Sequence, residues 1–146
     1  MSVRHPGPPA VRLPRAIADA IEAQARAESP LEACGLVVGS GDAADGGEPI
    51  RYEACRNAAA SAVRYSVHPD DLLRVTVEAD DAGQVIWGIA HSHVTSPAVP
   101  SPTDVGLASY PAAIYLLASL AEAPALRAWR IVDGVCHEVA LEVAQA

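Results

Sequence analysis

The sequence predicts an α/β fold in which a mixed β-sheet is flanked by helices. Short apolar runs of strand length alternate with segments of helical periodicity along the whole chain. The order is helix, strands, helix, strand, helix, strands, which is typical of α/β packing. With 146 residues, of which 51% are hydrophobic, the chain can bury one core, and no internal repeat is present.

The first half of the chain predicts two helices separated by strands. Apolar residues at positions 17, 21 and 25 recur at helical spacing, and a proline at position 69 followed by acidic residues is typical of a helix start. An apolar run ends in the loop GSGDAADGGEP, whose glycines and aspartates favour turns. The predicted helices are Pro14–Ala27 and Pro69 to about Asp80. The predicted strands are Leu31–Gly39, Ile50–Arg56 and Arg64–Val67.

The second half predicts four strands and one short helix. A strand over Val85–His91 is followed by a helix that begins at Ser101 and ends near Tyr110. Three apolar runs then predict the last strands. Asp133-Gly134 between the last two is a tight hairpin signal. These strands are Ala113–Leu120, Leu126–Val132 and Val135–Val143.

Residues 11–146 are predicted to form the single domain. Residues 1–10 contain three prolines and no apolar stretch, so we expect a disordered lead-in rather than a signal peptide. The longest largely apolar run, Ala112–Ala121, is too short to span a bilayer. We therefore expect no membrane association.

Charge and cysteine content indicate a cytoplasmic protein that does not bind nucleic acid. The net charge is -8 and the sequence has no arginine-rich run, which disfavours a phosphate-backbone partner. The three cysteines are widely spaced and odd in number, unlike a disulfide framework or a C-x-x-C zinc pair. Buried free thiols in a reducing cytoplasm are the expectation for Cys34, Cys55 and Cys136.

The stretch HSHVTSPAVPSPTD, residues 91–104, says most about function. His91 and His93 lie two residues apart at the C-terminal end of the predicted strand, so in extended backbone both imidazoles point to the same face and can reach one cation. Asp104, from the first turn of the next helix, would add a third ligand and leave a position for water. Three protein ligands with an open position are typical of catalytic rather than structural zinc.

Each part of this pattern also has a purely structural interpretation. Ser101-Pro102-Thr103-Asp104 is a good helix start, with Ser as N-cap and an acidic residue at the third position, and a lone H-x-H pair is a weak signal. The histidine pair and this tetrapeptide occur together with Glu32, a carboxyl group in an apolar segment. This combination favours a metal site over the purely structural interpretations. Ser92 points to the opposite face and receives no role. His68 is expected to cap a helix, and neither His5 nor His137 is expected to be a ligand.

Together these residues resemble the motif of the JAMM (MPN-plus, Mov34-type) metallopeptidases, in particular stand-alone bacterial members. That motif is an upstream Glu, H-x-H-P, a short spacer and S-x-x-D, and the similarity runs from about Pro14 to Val143 through PLEACGLVVG, CRNAA and AWRIVDG. Val94 stands where the family usually has proline, which affects the rigidity of the loop leaving the site and not the ligand set. The matching residues are Glu32, His91, His93, Ser101 and Asp104.

The resemblance implies a JAMM/MPN fold, broadly layered like zinc nucleoside deaminases, and a role for each motif residue. Zn²⁺ would be held by His91, His93 and Asp104. Glu32 would come from a neighbouring strand and act as general base towards the attacking water. The Ser101 hydroxyl would donate to the developing oxyanion, and loss of such a donor typically costs about 3 kcal/mol.

The resemblance also implies the substrate class, which is amide or isopeptide bonds following the C-terminal Gly-Gly of a ubiquitin-like protein. The chain is too short for the insertions with which eukaryotic deubiquitinating members hold ubiquitin. Small bacterial members act on ubiquitin-like sulfur carriers, for example by releasing cysteine from the carrier tail. We therefore expect a sulfur carrier with a Gly-Gly tail as partner.

The sequence disfavours three other classes of protein. A metal-free MPN scaffold module is disfavoured by the intact five-residue set. A zinc nucleoside deaminase needs H-x-E with P-C-x-x-C, which the sequence lacks. An H-x-H amidohydrolase would need a barrel of about 250 residues.

Overall fold

The computed structural model describes residues 10–145, which form one mixed sheet with helices on both faces. A short 3-10 helix, Ala43–Asp45, interrupts the loop after the second strand. In chain order the elements are β1 (Ala10–Leu13), α1 (Arg15–Glu28), β2 (Cys34–Gly39), β3 (Pro49–Cys55), α2 (Pro69–Asp81), β4 (Val85–His93), α3 (Pro102–Leu107), β5 (Ile114–Ser119), β6 (Leu126–Val132) and β7 (Val135–Val143).

The seven strands follow the order β1-β7-β6-β5-β4-β2-β3. The β1–β7 and β4–β5 pairs are parallel, and the other neighbouring pairs are antiparallel. β4 therefore lies inside the sheet, with β2 on one side and β5 on the other. The sheet is mixed and flanked by helices, as predicted.

Alternate residues of the central strands feed two hydrophobic clusters, one on each face of the sheet. In β2, Val37 joins the cluster that contains α1, whereas Leu36 and Val38 join the cluster that contains α2. The apolar stripe of α1 is buried as its spacing predicted, at Ile17, Ile21 and Ala25. This two-sided burial explains why β2, β4 and β5 are nearly continuous apolar runs.

Several element predictions are confirmed closely. β6 and β7 have the predicted bounds, and the turn residues between them, Asp133 and Gly134, have φ values of 51° and 76°. Positive φ at both positions is what a two-residue hairpin of this twist requires. His68 is the N-cap of α2, and its Nδ1 accepts a hydrogen bond from the Asp70 N–H at 3.1 Å.

The segment Arg64–Val67 is not the strand that we predicted. It forms only an isolated bridge between Asn57 and Val67, and the Ser66 N–H donates to the Asn57 side chain rather than to a neighbouring strand. A side chain that captures backbone donors in this way competes with a sheet ladder.

Other boundaries also differ from the sequence predictions. β2 starts at Cys34 rather than at Leu31, because the Glu32 N–H already donates to the Ser61 carbonyl outside the sheet. α3 stops at Leu107 instead of near Tyr110, since Ala108 is already extended with ψ 121°. The short strand β1 was not predicted, and it begins at Ala10, within the predicted lead-in.

The remaining expectations concern the termini, the cysteines and membrane spans. Residues 1–9 of the predicted lead-in, including His5, lie outside the described residues. The cysteines are free thiols as predicted, but Cys136 is only partly buried, unlike Cys34 and Cys55. Among residues 10–145, each helix is too short or too polar to cross a bilayer.

Candidate metal centre

The two histidines lie close together at the C-terminal end of β4, at the edge of the buried core. β4 runs two residues further than predicted, so His91 and His93 both belong to the strand and their side chains share a face. Both are almost fully buried, with 2% and 3% of their surface exposed. Cys34 of β2 and Leu117 of β5 flank His91 in register, so neighbours on both sides fix its backbone.

Asp104 reaches the histidines from the first turn of α3. Pro102 starts this helix, the Ser101 Oγ accepts from the Asp104 N–H at 3.0 Å, and Asp104 Oδ2 accepts from the Ser101 N–H at 2.9 Å. The same Oδ2 lies 3.1 Å from His91 Nε2 and 3.0 Å from His93 Nε2. The capping box and the predicted ligand group therefore coexist, because the cap orients the carboxylate towards both imidazoles.

The donor set fits a divalent transition metal such as zinc. One potential ligand atom from each of His91, His93 and Asp104 lies within 4.8 Å of the others, and all three residues are buried. His93 Nδ1 is 2.8 Å from the Pro97 carbonyl oxygen, which favours Nδ1–H and leaves Nε2 as a lone-pair donor towards the centre. His91 Nδ1 is buried without a hydrogen-bond partner, and His91 Nε2 makes no well-directed hydrogen bond although it lies 3.1 Å from Asp104 Oδ2, so a cation would satisfy Nε2.

Electrostatics at the centre favour a positive charge. Burial acts to raise the pKa of Asp104, but contact with the two imidazoles outweighs it and holds the carboxyl pKa well below its ordinary value. Burial lowers the pKa of His91, which keeps that ring neutral, as a metal ligand must be. Burial also opposes protonation of His93, but Asp104 and the Pro97 carbonyl raise the pKa of that ring. A bound cation would replace the proton that Asp104 favours on His93.

Glu32 is the fourth predicted site residue that the fold brings to this point. It lies two residues before β2 and is 3% exposed, and its Oε1 has no hydrogen-bond partner. Desolvation raises the pKa of Glu32 to about 7, while the charge of His93 lowers it and that of Asp104 raises it further. The carboxyl group is therefore close to the ligand group and near neutrality for proton exchange.

Ser101, the fifth predicted residue, is partly exposed at the rim of the centre. Its oxygen accepts the Asp104 N–H, so this cap does not use the hydroxyl hydrogen. The hydroxyl can therefore still donate to a group that approaches the centre. By contrast, His137 is exposed on β7, which is separated from β4 by β6 and β5.

Ser92 has a structural role that the sequence did not indicate. Its side chain does point away from the histidine face, as predicted. There, its Oγ accepts from the Ala33 N–H at 2.8 Å, and its own N–H donates to the Ala33 carbonyl at 3.0 Å. Ser92 thus ties the residue after Glu32 to the strand that carries both histidines. The only hint in the sequence is its position between the two histidines.

Two further residues near the centre, Asn57 and Tyr65, were also missed. Asn57 donates to the Glu32 carbonyl at 3.0 Å, and Tyr65 stacks on His91 with ring centroids 4.2 Å apart. Asn57 lies in the CRNAA segment, which is part of the family resemblance, but the sequence assigned it no role. Neither contact could be derived from local patterns, because each joins residues more than 20 positions apart.

Comparison with known proteins identifies the family. A family model described as prokaryotic homologs of the JAB domain matches residues 14–132. This chain belongs to that family. It is 37% identical over 131 residues to the CysO-cysteine peptidases of Mycobacterium tuberculosis and Mycobacterium bovis, covering 88% of this chain and 88% of each relative. The desampylase of Haloferax volcanii is 33% identical over 95 residues, covering 65% of this chain and 67% of that protein.

Solved structures agree with this JAB-family assignment. The solution structure of a Desulfitobacterium hafniense protein matches with a TM-score of 0.79 and 28% identity, over 93% of this chain and 94% of the other. The crystal structure of a JAB1/MPN domain protein from Archaeoglobus fulgidus matches with a TM-score of 0.60 over 92% of this chain and 100% of that chain. At 18% identity, the second match bears on the fold alone. The JAMM/MPN fold expected from the resemblance is confirmed.

Proposed function

We propose that this JAB-family protein is a zinc-dependent peptidase. It hydrolyses the amide or isopeptide bond after the C-terminal Gly-Gly of a ubiquitin-like protein, most specifically a sulfur carrier adduct such as carrier–cysteine. The observation that carries the proposal is the buried His91–His93–Asp104 group with the Glu32 carboxyl group beside it, whose buried Oε1 has no hydrogen-bond partner. A purely structural cluster would be expected to pair its buried polar atoms.

The ligand residues would be His91 and His93 through Nε2 and Asp104 through Oδ2. A zinc ion held by these residues would supply Lewis acidity, which would acidify water and polarise a scissile carbonyl group. Pro97 contributes by fixing the His93 tautomer through its carbonyl oxygen. The capping box contributes by fixing the Asp104 rotamer at the start of α3.

Glu32 would serve as the general base and then as the acid. Its buried carboxyl group accepts the proton of the attacking water and returns it to the leaving amine. Its raised pKa suits both steps, since a group that titrates near the working pH can accept and release a proton readily. The backbone on both sides of Glu32 is fastened by Ser61 and Ser92, so the carboxyl position is defined before substrate binds.

Ser101 would donate its hydroxyl hydrogen to the oxygen that becomes negatively charged as the carbonyl is attacked. The hydroxyl lies at the rim, where an entering carbonyl would meet it, and the cap leaves its hydrogen available. A preorganised donor of this kind stabilises the transition state more than the ground state.

The substrate class is supported by the relatives and by the chain segment between Glu32 and His91. Two of the relatives are named CysO-cysteine peptidase and desampylase, and these names indicate cleavage of bonds to small protein modifiers. Between Glu32 and His91 the chain is occupied by β2, β3 and α2, and the connections of residues 40–48 and 56–68 are too short to form a long substrate-gripping arm. Recognition would rest mainly on an extended tail, in which glycine is narrow enough to pass the buried centre.

Metal analysis tests the first requirement of this proposal. Wild-type protein is expected to contain one zinc per chain, and His91→Ala and Asp104→Ala are expected to lose it. A strong chelator should remove both zinc and activity, and added zinc should restore both. Protein that neither contains nor rebinds zinc would contradict the proposal and favour a metal-free scaffold.

A further inference from the structure

The loop of residues 57–67, between β3 and α2, contacts both the proposed base and one of the proposed ligands. The Ser61 carbonyl accepts from the Glu32 N–H at 2.8 Å. Four residues further on, the Tyr65 ring stacks on His91 with ring centroids 4.2 Å apart and planes inclined by 19°. This loop therefore links the backbone of Glu32, the proposed base, to the ring of His91, a proposed ligand.

Asn57 holds this loop in shape with all four hydrogen-bonding positions of its amide group. Nδ2 donates to the carbonyls of Glu32 at 3.0 Å and Arg64 at 3.1 Å. Oδ1 accepts from the N–H groups of Ala59 at 3.0 Å and Ser66 at 2.9 Å. An amide has two donor hydrogens and two acceptor lone pairs, so the side chain is fully used. The bonds to residues 64 and 66 fix the backbone on both sides of Tyr65.

The two histidines differ in what orients their rings. His93 is oriented by the hydrogen-bond contact between Nδ1 and the Pro97 carbonyl oxygen. His91 Nδ1 is buried and has no such partner, although a metal-binding histidine almost always donates its second ring N–H to a neighbour. The nearly parallel Tyr65 ring covers His91 and restricts its rotation about the side-chain torsions.

We propose that Tyr65 is a positioning residue for the metal centre, acting through His91. Its stacked ring sets the imidazole plane in place of the missing hydrogen bond, and Asn57 holds it there. This inference rests on the proposed zinc function. The phenol itself takes no part in proton transfer, because burial holds the pKa of Tyr65 above its ordinary value and keeps it neutral.

Metal affinity of Tyr65 variants tests this directly and does not need a substrate. Tyr65→Phe keeps the ring, Tyr65→Leu removes it, and Ser66→Ala changes an exposed side chain of the same loop as a matched control. Zn²⁺ affinity would be measured by competition with a chromogenic chelator, and the ligand geometry from the visible spectrum of the Co²⁺-loaded protein. Thermal unfolding of each metal-free variant would verify the fold.

We expect Tyr65→Phe and Ser66→Ala to match the wild type in affinity and spectrum. Tyr65→Leu should bind zinc about 10- to 100-fold more weakly, the range typical for loss of a group that orients a ligand, and its Co²⁺ bands should shift. Wild-type affinity and spectrum in Tyr65→Leu would overturn the inference, as would an equal loss in Tyr65→Phe. A wild type that binds neither metal would instead refute the proposed function, and the inference with it.

A double variant tests the part assigned to Asn57. If Asn57 affects the metal only by holding Tyr65, Asn57→Ala should weaken zinc binding, and adding it to Tyr65→Leu should cause little further loss. Losses that add fully in the double variant would overturn this link. Should Asn57→Ala fail to fold, the Tyr65 variants alone decide the inference.

Discussion

At the residue scale, the centre combines groups whose environments drive their protonation in opposite directions. Asp104 is held ionised by two imidazoles, whereas the nearby Glu32 is pushed towards its neutral form mainly by burial. Two carboxyl groups so close together can therefore take different roles, one as ligand and one as proton carrier. The same burial that makes Glu32 a suitable base makes its ionisation costly for the metal-free fold.

Glu32→Gln separates the base from the ligands. The amide keeps the size of the side chain but cannot accept a proton from water, so we expect zinc content to be unchanged and kcat to fall by at least about 100-fold, the lower range for general-base catalysis. Zinc content and turnover would be measured on the same preparation, with Asp104→Ala as the comparison that loses metal. Loss of zinc in Glu32→Gln would make Glu32 a ligand, and near-normal turnover would require another base.

The pH dependence of stability provides a second test of Glu32. Its pKa is about 7 in the folded metal-free chain and 4.5 as the ordinary value. Between pH 4.5 and 7 the Glu32 carboxyl group is ionised in the unfolded chain but still largely protonated in the folded chain. The free energy of unfolding therefore falls as the pH rises through this range. In a chelator-treated sample, the unfolding midpoint of wild type should therefore decline relative to Glu32→Gln from about pH 4.5 to 7.

Comparing wild type with Glu32→Gln removes most of the contribution of His91 and His93, which both proteins retain and whose shifted pKa values also affect stability near this pH range. Parallel midpoints for the two proteins across this pH range would show that Glu32 does not titrate as described.

At the element scale, the end of β4 and the first turn of α3 bring together the three proposed ligand residues, which are close in sequence, and this is why their proximity could be predicted from the sequence. Strand alternation aligns His91 with His93, and the capping box of α3 aims Asp104. The contacts of Glu32 are different, since they depend on how β2 pairs with β4 and where the loop 57–67 folds. Those contacts cross long stretches of chain, so no local pattern could predict Ser92, Asn57 or Tyr65.

Ser101 variants test whether the helix cap and the proposed oxyanion donor reside in one hydroxyl. Ser101→Ala should lower kcat by about 100-fold through loss of the donor and destabilise the fold by about 1 kcal/mol through loss of the cap. Ser101→Thr keeps a hydroxyl and should retain most of both. Measured kinetics, zinc content and unfolding would separate the effects. A Ser101→Ala protein that loses zinc would indicate that Ser101 acts only by orienting Asp104.

At the scale of the whole molecule, the fold class and the hairpin of β6 and β7 could be predicted, because apolar periodicity and turn residues determine them. The single core expected from the sequence is instead divided by the sheet into two hydrophobic clusters. The four-residue strand β1 could not be predicted, since it is too short to show a period and pairs with β7 from the far end of the chain. The fold places α1 and α2 on opposite faces of the sheet and leaves the candidate metal centre where β4 ends.

Cleavage of defined adducts by zinc-loaded protein tests the central claim most directly. Mass spectrometry would follow a ubiquitin-like sulfur carrier ending in Gly-Gly–cysteine, the same adduct with a bulky residue in place of the penultimate glycine, and ubiquitin dimers. We predict release of cysteine from the first adduct, cleavage that is abolished by the bulky residue or a chelator, and much slower cutting of the dimers. Intact adduct under zinc-loaded conditions, indifference to the glycine replacement, or faster cutting of ubiquitin dimers would contradict it.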